Sequence, residues 1–148
     1  MGGVGRFFEG TADGMTQIIK RCLKDIRQDT LLFYGHDYGV KNLNWAANLV
    51  FKSESLQNSL LMERIEQAYN KVTESKTANI VSSGILWHDE MSHNLFILAV
   101  SHPNQFIPQL FRSGVDTIEA GVAALREDKS AFDSRPVRPF SREKLKLI

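Results

Sequence analysis

Apolar residues recur at helical spacing over residues 11–29, where Met15, Ile18, Ile19, Cys22, Leu23 and Ile26 fall on one face. Thr11 fits the N-cap, Asp13 suits the first turn, and Lys24 and Arg27 suit the C-terminal end. Residues 30–34, TLLFY, have the length and residue types of a short buried strand. A second helix is predicted over residues 40–51, with Val40, Leu43, Ala47 and Val50 on one side. The longest predicted helix lies within residues 53–76. Ser53 or Ser55 supplies its cap, and Leu56, Leu60, Ile65, Ala68 and Val72 form its stripe. Residues 77–92 are polar and irregular apart from Ile85, Leu86 and Trp87, and residues 93–104 fit either a helix or a strand. A last helix is predicted over residues 116–129, with Ile118, Val122 and Leu125 inward. From Ser130 the chain carries Pro136, Pro139 and an excess of basic residues, and reads as an extended, solvated arm.

This pattern holds one clear strand among four or five helices. A strand alone cannot satisfy its backbone groups. TLLFY is therefore expected to lack partners and to leave an open apolar edge through which the chain self-associates.

Composition narrows the picture only a little. The chain has 148 residues, 43% hydrophobic and 24% charged, with a net charge of +1. This is an ordinary globular balance with no bias toward nucleic acid. No apolar run approaches the length of a membrane span. The opening MGGVGRFF has no signal-peptide pattern, and Arg6 stands where myristoylation needs Ser or Thr. A cytoplasmic location, or a mitochondrial matrix one, is expected. The single cysteine, Cys22, excludes a disulfide framework and a thiolate zinc site, and its place in the first apolar stripe makes it a packed core thiol.

Candidate chemistry is sparse. GGVG is no dinucleotide fingerprint, because Phe8 replaces the needed glycine and no strand precedes it. His88 and His93 are too far out of phase to share a helix face, at roughly 140° apart, and read as surface loop histidines. His102 precedes Pro103 and reads as a loop residue. His36 stands at the end of the TLLFY strand, a rigid place to hold a ligand, although many strand-end histidines are structural. Arg126 and Lys129 share a helix face and suit a carboxylate; a solvated helix end favoured by the dipole fits the same spacing.

Residues 5–15 read GRFFEGTADGM, residues 35–38 read GHDY, and residues 42–47 read NLNWAA. Arg126, Lys129 and Phe132 form R-x-x-K followed three residues later by Phe. In order and separation these stretches resemble the glyoxalase II (hydroxyacylglutathione hydrolase) family of the metallo-β-lactamase superfamily. Typical stretches there read G-[KR]-[FL]-[FY]-E-G-T-A-x-x-M and G-H-E-Y-T-x-x-N-L-x-F-A. The family's T-H-x-H-x-D-H metal motif, its second lone histidine and its bridging aspartate have no counterpart, so the resemblance is to the C-terminal half alone. Asp37 replaces glutamate, Gly39 replaces threonine, and Y-N-P-F survives weakly as His93, Asn94, Leu95 and Phe96.

The resemblance implies an α/β chain in three parts. Residues 1–38 would be the remnant of a metallo-β-lactamase αββα sandwich. Residues 39–130 would be a mainly helical substrate-binding domain, and residues 131–148 a basic tail. The implied activity is metal-dependent hydrolysis of thioesters such as S-D-lactoylglutathione to glutathione and a 2-hydroxy acid. In the complete enzyme two metal ions, zinc or iron, serve this chemistry. His36 matches the family's last metal-ligand histidine. Arg6, Phe8, Tyr38, Arg126 and Lys129 match positions that contact glutathione, beside His36. One histidine cannot hold a dinuclear centre. The chain alone is therefore expected not to retain the metals and to be inactive. The alternative is a non-catalytic binding or regulatory module derived from a half-enzyme.

Overall fold

Thr11 caps the first helix as its position predicts. In the computed structural model, which describes residues 1–78, 84–111, 114–136 and 139–141, its hydroxyl accepts from the Gly14 amide at 3.1 Å. Helix α1 follows over Ala12–Asp25 and buries Ile19, while Ile18 is left exposed.

The strand differs from expectation in both length and burial. β1 is Leu31–Leu32, and its partner is β2, Ile85–Leu86, antiparallel, with Leu31 opposite Leu86 and Leu32 opposite Ile85. Backbone bonds from Gly84 to Leu32 (2.7 Å) and from Trp87 to Thr30 (2.8 Å) extend the pairing. The ILW stretch thus supplies the partner that TLLFY was expected to lack. The segment is also half-buried, not buried: Leu32 and Tyr34 turn inward, while Leu31 and Phe33 are 54% and 75% exposed. That alternation is the two-residue period of a strand covered on one face.

Helix α2, Gly39–Phe51, and helix α3, Leu60–Thr77, pack together. A Cβ on Gly39 would lie 3.0 Å from Val72 Cγ1, so the start of α2 rests on α3 at a distance that suits glycine. The cap of α3 is Ser59, not Ser53 or Ser55; its hydroxyl accepts from the Met62 amide at 3.4 Å. The inward stripe is accordingly Leu61, Met62, Ile65, Tyr69 and Val72, and Leu60 is exposed.

Residues 87–110 form three short helices: α4, Trp87–His93; α5, Leu95–Ser101; and α6, Pro103–Leu110. The ambiguous stretch is therefore helical, and α5 is buried from Leu95 to Val100. His93 is not a surface loop residue: it lies on α4 and is buried, whereas His88 on the same helix is exposed. His102 links α5 to α6 and is exposed. Helix α7, Ile118–Asp133, begins at Thr117, whose hydroxyl accepts from the Ala120 amide at 3.1 Å. It runs through Ser130, so residues 130–133 are helix, not arm. Phe140 meets the Tyr69 ring edge-on at 5.6 Å, while positions 137–138 and 142–148 of the expected tail lie outside the described residues.

The described residues are thus mostly helical, with seven helices and one two-stranded sheet, compatible with a helical C-terminal domain. The main core joins Trp45, Met62, Ile65, Phe96, Val122 and Leu125. Fully burying one such side chain stabilises by roughly 1.5–3 kcal/mol. An exposed pair such as Arg27–Asp29 is screened by solvent and adds little. The packed interior, not surface charge, therefore fixes where α2 and α7 stand. Among the described residues, no helix is long and apolar enough to cross a membrane.

Candidate functional site

A buried carboxylate ties the opening segment to the strand end. Glu90 on α4 is 2% exposed. It accepts from the Gly2 amide (2.8 Å), the Tyr34 hydroxyl (2.7 Å) and the Asn94 side-chain amide (2.7 Å). His93 Nε2 lies 3.4 Å from Glu90 Oε2, close enough for an ion pair, but it makes no hydrogen bond. Burial pushes the Glu90 carboxyl up, but the adjacent His93, the N-terminal ammonium and the Asn94 amide more than offset this, bringing it to about 2. Burial and the Glu90 charge both push the Tyr34 phenol up, so it stays a donor. Asn42 on α2 adds a bond from its amide to the Met1 carbonyl at 3.0 Å. Gly2 has φ +68 and sits tight against Leu43, a backbone position suited to glycine.

These ties bring the opening segment, the turn after β1, the start of α2 and the end of α7 around one cavity of about 670 Å³. Arg6, Phe8, His36, Tyr38, Arg126 and Lys129 all line it. They come from three separated motifs, and all six sequence candidates meet here. The Arg6 guanidinium lies over the Phe8 ring at 5.8 Å. His36 stacks on Tyr38 with centroids 5.1 Å apart and ring planes at 20°. Arg126 Nη1 donates to the Gly5 carbonyl at 3.4 Å, linking α7 to the opening segment.

The Arg126–Lys129 pair is not a solvated helix end. Lys129 is 5% exposed, and its ammonium lies 5.5 Å from the centre of the Trp45 ring. Both carboxylate oxygens of Asp133 accept from it, at 3.1 and 3.2 Å. Burial pulls the Lys129 ammonium down and Asp133 pulls it back up, while Arg126 and Lys41 oppose its charge. Arg126 is likewise pulled down by burial, with Asp133 raising it and Arg6 lowering it. The charged lining is four cations, Arg6, Lys41, Arg126 and Lys129, against the one carboxylate of Asp133. Such a cavity, with exposed Phe8 and Tyr38 at its rim, suits an anionic ligand with some apolar or peptide surface.

Lys41 and Asp133 were not singled out from the sequence. Asp133 lies four residues after Lys129, and the spacing was readable, but the helix was expected to end before it. Phe132, the last residue of the C-terminal motif, packs on the main core. His36 is exposed at the cavity and offers one imidazole. Among the described residues, no group of three or more His, Cys, Asp or Glu is placed to share a metal ion. These residues by themselves therefore do not fit a dinuclear centre.

No protein-family model matches the chain. The hydroxyacylglutathione hydrolase of Prochlorococcus marinus (strain MIT 9301) is 35% identical over 98 residues, covering 66% of this chain and 36% of the relative. The probable hydroxyacylglutathione hydrolase of Schistosoma mansoni is 30% identical over 132 residues, 89% of this chain and 49% of its own length. That of Citrobacter koseri is 30% identical over 96 residues, 65% of this chain and 34% of its own. The chain spans between about a third and a half of the length of these relatives. Distant as these identities are, they agree with the motifs and their order: the chain belongs to the hydroxyacylglutathione hydrolase (glyoxalase II) family, matching its C-terminal half.

Proposed function

We propose that the cavity binds the glutathione part of a glutathione thioester, and that the chain is the substrate-binding portion of a hydroxyacylglutathione hydrolase. The observation that carries this reading is the convergence of Arg6, Phe8, His36, Tyr38, Arg126 and Lys129 on one cavity. Arg6, Arg126 and Lys129 surround the glycine carboxylate of the tripeptide, and Phe8 and Tyr38 flank its backbone. Charge-assisted hydrogen bonds of this kind are worth roughly 1.5–3 kcal/mol each when water is excluded. His36 offers a single ligand bond toward the reacting thioester. The chain therefore binds the ligand without turning it over.

The test is calorimetric titration of the purified chain with reduced glutathione, beside an assay of S-D-lactoylglutathione hydrolysis with and without added zinc or iron. Saturable binding that weakens about tenfold in Arg126→Ala, with no turnover, is the expected result. Glutathione binding that is absent, or indifferent to Arg126, removes the reading. Zinc-dependent turnover abolished by His36→Ala would show instead that the chain completes a metal centre.

A further inference from the structure

The cation cluster already holds an anion of its own. Asp133 places both carboxylate oxygens on the Lys129 ammonium, at 3.1 and 3.2 Å. One of them lies 3.7 Å from Arg126 Nη2 and the other 3.5 Å from Lys41 Nζ. Lys41 also donates to the Asp133 backbone carbonyl at 3.3 Å, which fixes the last turn of α7 against α2. Three cations thus converge on one carboxylate at the cavity wall. The Asp133 side chain is 19% exposed and those of Lys129 and Arg126 are 7% and 13% exposed, so little water competes for these contacts. Arg126 Nη2 is buried and has no hydrogen-bonding partner, so its donor capacity is not met by Asp133 at this distance.

We infer that Asp133 is an internal counter-ion that occupies the anion position of the cavity, so that a ligand carboxylate enters by exchange with it. This rests on the reading of the cavity as a glutathione-binding site. The Lys129 side chain is 7% exposed, lies over the Trp45 ring and already lines the cavity, so a ligand carboxylate meets it at the cavity wall. A ligand carboxylate either displaces Asp133 from Lys129 or shares the cluster with it, and in both cases like charges oppose entry. The consequence is selective as well as inhibitory. A carboxylate gains enough from Arg6, Arg126 and Lys129 to drive the exchange, whereas a neutral ester at the same position leaves Asp133 where it is.

The experiment uses the full chain as wild type, Asp133→Asn and Asp133→Gly, titrated with reduced glutathione, with its glycine ethyl ester and with sodium formate, against sodium chloride at equal ionic strength. Asp133→Asn is expected to bind glutathione about tenfold more tightly than wild type. Asp133→Gly is expected to gain thermal stability from formate, which wild type does not, and formate should then compete with glutathione. The ethyl ester should bind more weakly than glutathione throughout. Equal or weaker glutathione binding by Asp133→Asn, with wild type still binding, overturns the inference and leaves the glutathione reading standing. Asp133 would then orient Lys129 for the ligand. Formate uptake by Asp133→Gly with no glutathione binding in any form upholds the counter-ion and removes the glutathione reading. A response to neither probe overturns the inference. Should both variants fail to fold, wild type decides: saturating glutathione, or inorganic phosphate if glutathione does not bind, must move the carbon-13 resonance of the Asp133 carboxylate. An unmoved resonance overturns the exchange.

Discussion

Replacing Glu90 by glutamine keeps the shape of the side chain and removes its charge. In the native protein three donors converge on that carboxylate at 2.7–2.8 Å, two of them from the segments that carry Arg6, Phe8, His36 and Tyr38. A hydrogen bond to a charged acceptor is worth about 1 kcal/mol more than one to a neutral acceptor, so three such bonds lose about 3 kcal/mol. The titration reports mostly on other neighbours of the same carboxylate: its fall from 4.5 to about 2 comes chiefly from His93 and the N-terminal ammonium, with Asn94 the only one of the three donors among the causes. Relief of the buried charge returns part of the hydrogen-bond loss, so Glu90→Gln should destabilise by about 2–3 kcal/mol at pH 7, lowering Tm by about 5–10 °C. Because folding lowers this carboxyl, its stabilisation is complete above about pH 5. It is lost as pH falls from 4.5 toward 2. Urea unfolding followed by circular dichroism at pH 7, 5, 4 and 3 reads both effects. The wild-type curve should drop over the acid range, and the variant should lack that part of the drop. A variant within about 0.5 kcal/mol of wild type at pH 7, with the same acid slope, would refute the account.

Tyr34→Phe, which removes only one of the three donors, should cost about 1–2 kcal/mol in the same urea assay, and less in a Glu90→Gln background. Gly121→Ala should destabilise by about 1–3 kcal/mol, because the new methyl would lie 2.6 Å from Ile107 Cδ1 where α7 meets α6; a variant as stable as wild type would show that Ile107 moves aside freely. Ser59→Ala should cost about 1 kcal/mol through loss of the α3 cap, while Ser55→Ala changes stability by less than about 0.5 kcal/mol. Leu31→Lys with Phe33→Lys should lower binding of a hydrophobic dye and any self-association seen by sedimentation; unchanged signals would place the sticky surface elsewhere.

Helices with a single apolar phase were legible in the sequence. Thr11 and the stripe ending at Ile26 define α1, and Val122 and Leu125 define the buried face of α7. The start of α3 was not, because SESLQNS offers three serines as caps and LLM places apolar residues on adjacent faces. Leu56 packs into the core ahead of the helix, and the cap falls to Ser59. The burial of His93 is not legible locally because the adjacent Ser92 and Asn94 are polar, yet Glu90 stands one turn away and buries with it. For TLLFY, residue types announce a strand but not what covers each face. Only the alternation of Leu32 and Tyr34 with Leu31 and Phe33 separates half-buried from buried. The six candidate residues were found through motifs. Their meeting depends on Glu90 and Asp133, whose partners lie far along the chain or in a helix turn that Pro136 made appear to be arm.

Trp45 belongs to the core and touches the cation cluster from behind Lys129. Its ring is fully buried, its indole N–H donates to Asp128 at 2.8 Å, and the Lys129 ammonium lies over its face. A charge held beside an indole displaces the energy of its excited state. Movement of that ammonium, or a second anion arriving next to it, therefore alters the colour of the emitted light. The protein carries its own optical gauge of the cation cluster, and with Trp87→Phe removing the other indole, that gauge can be read in solution without any attached label.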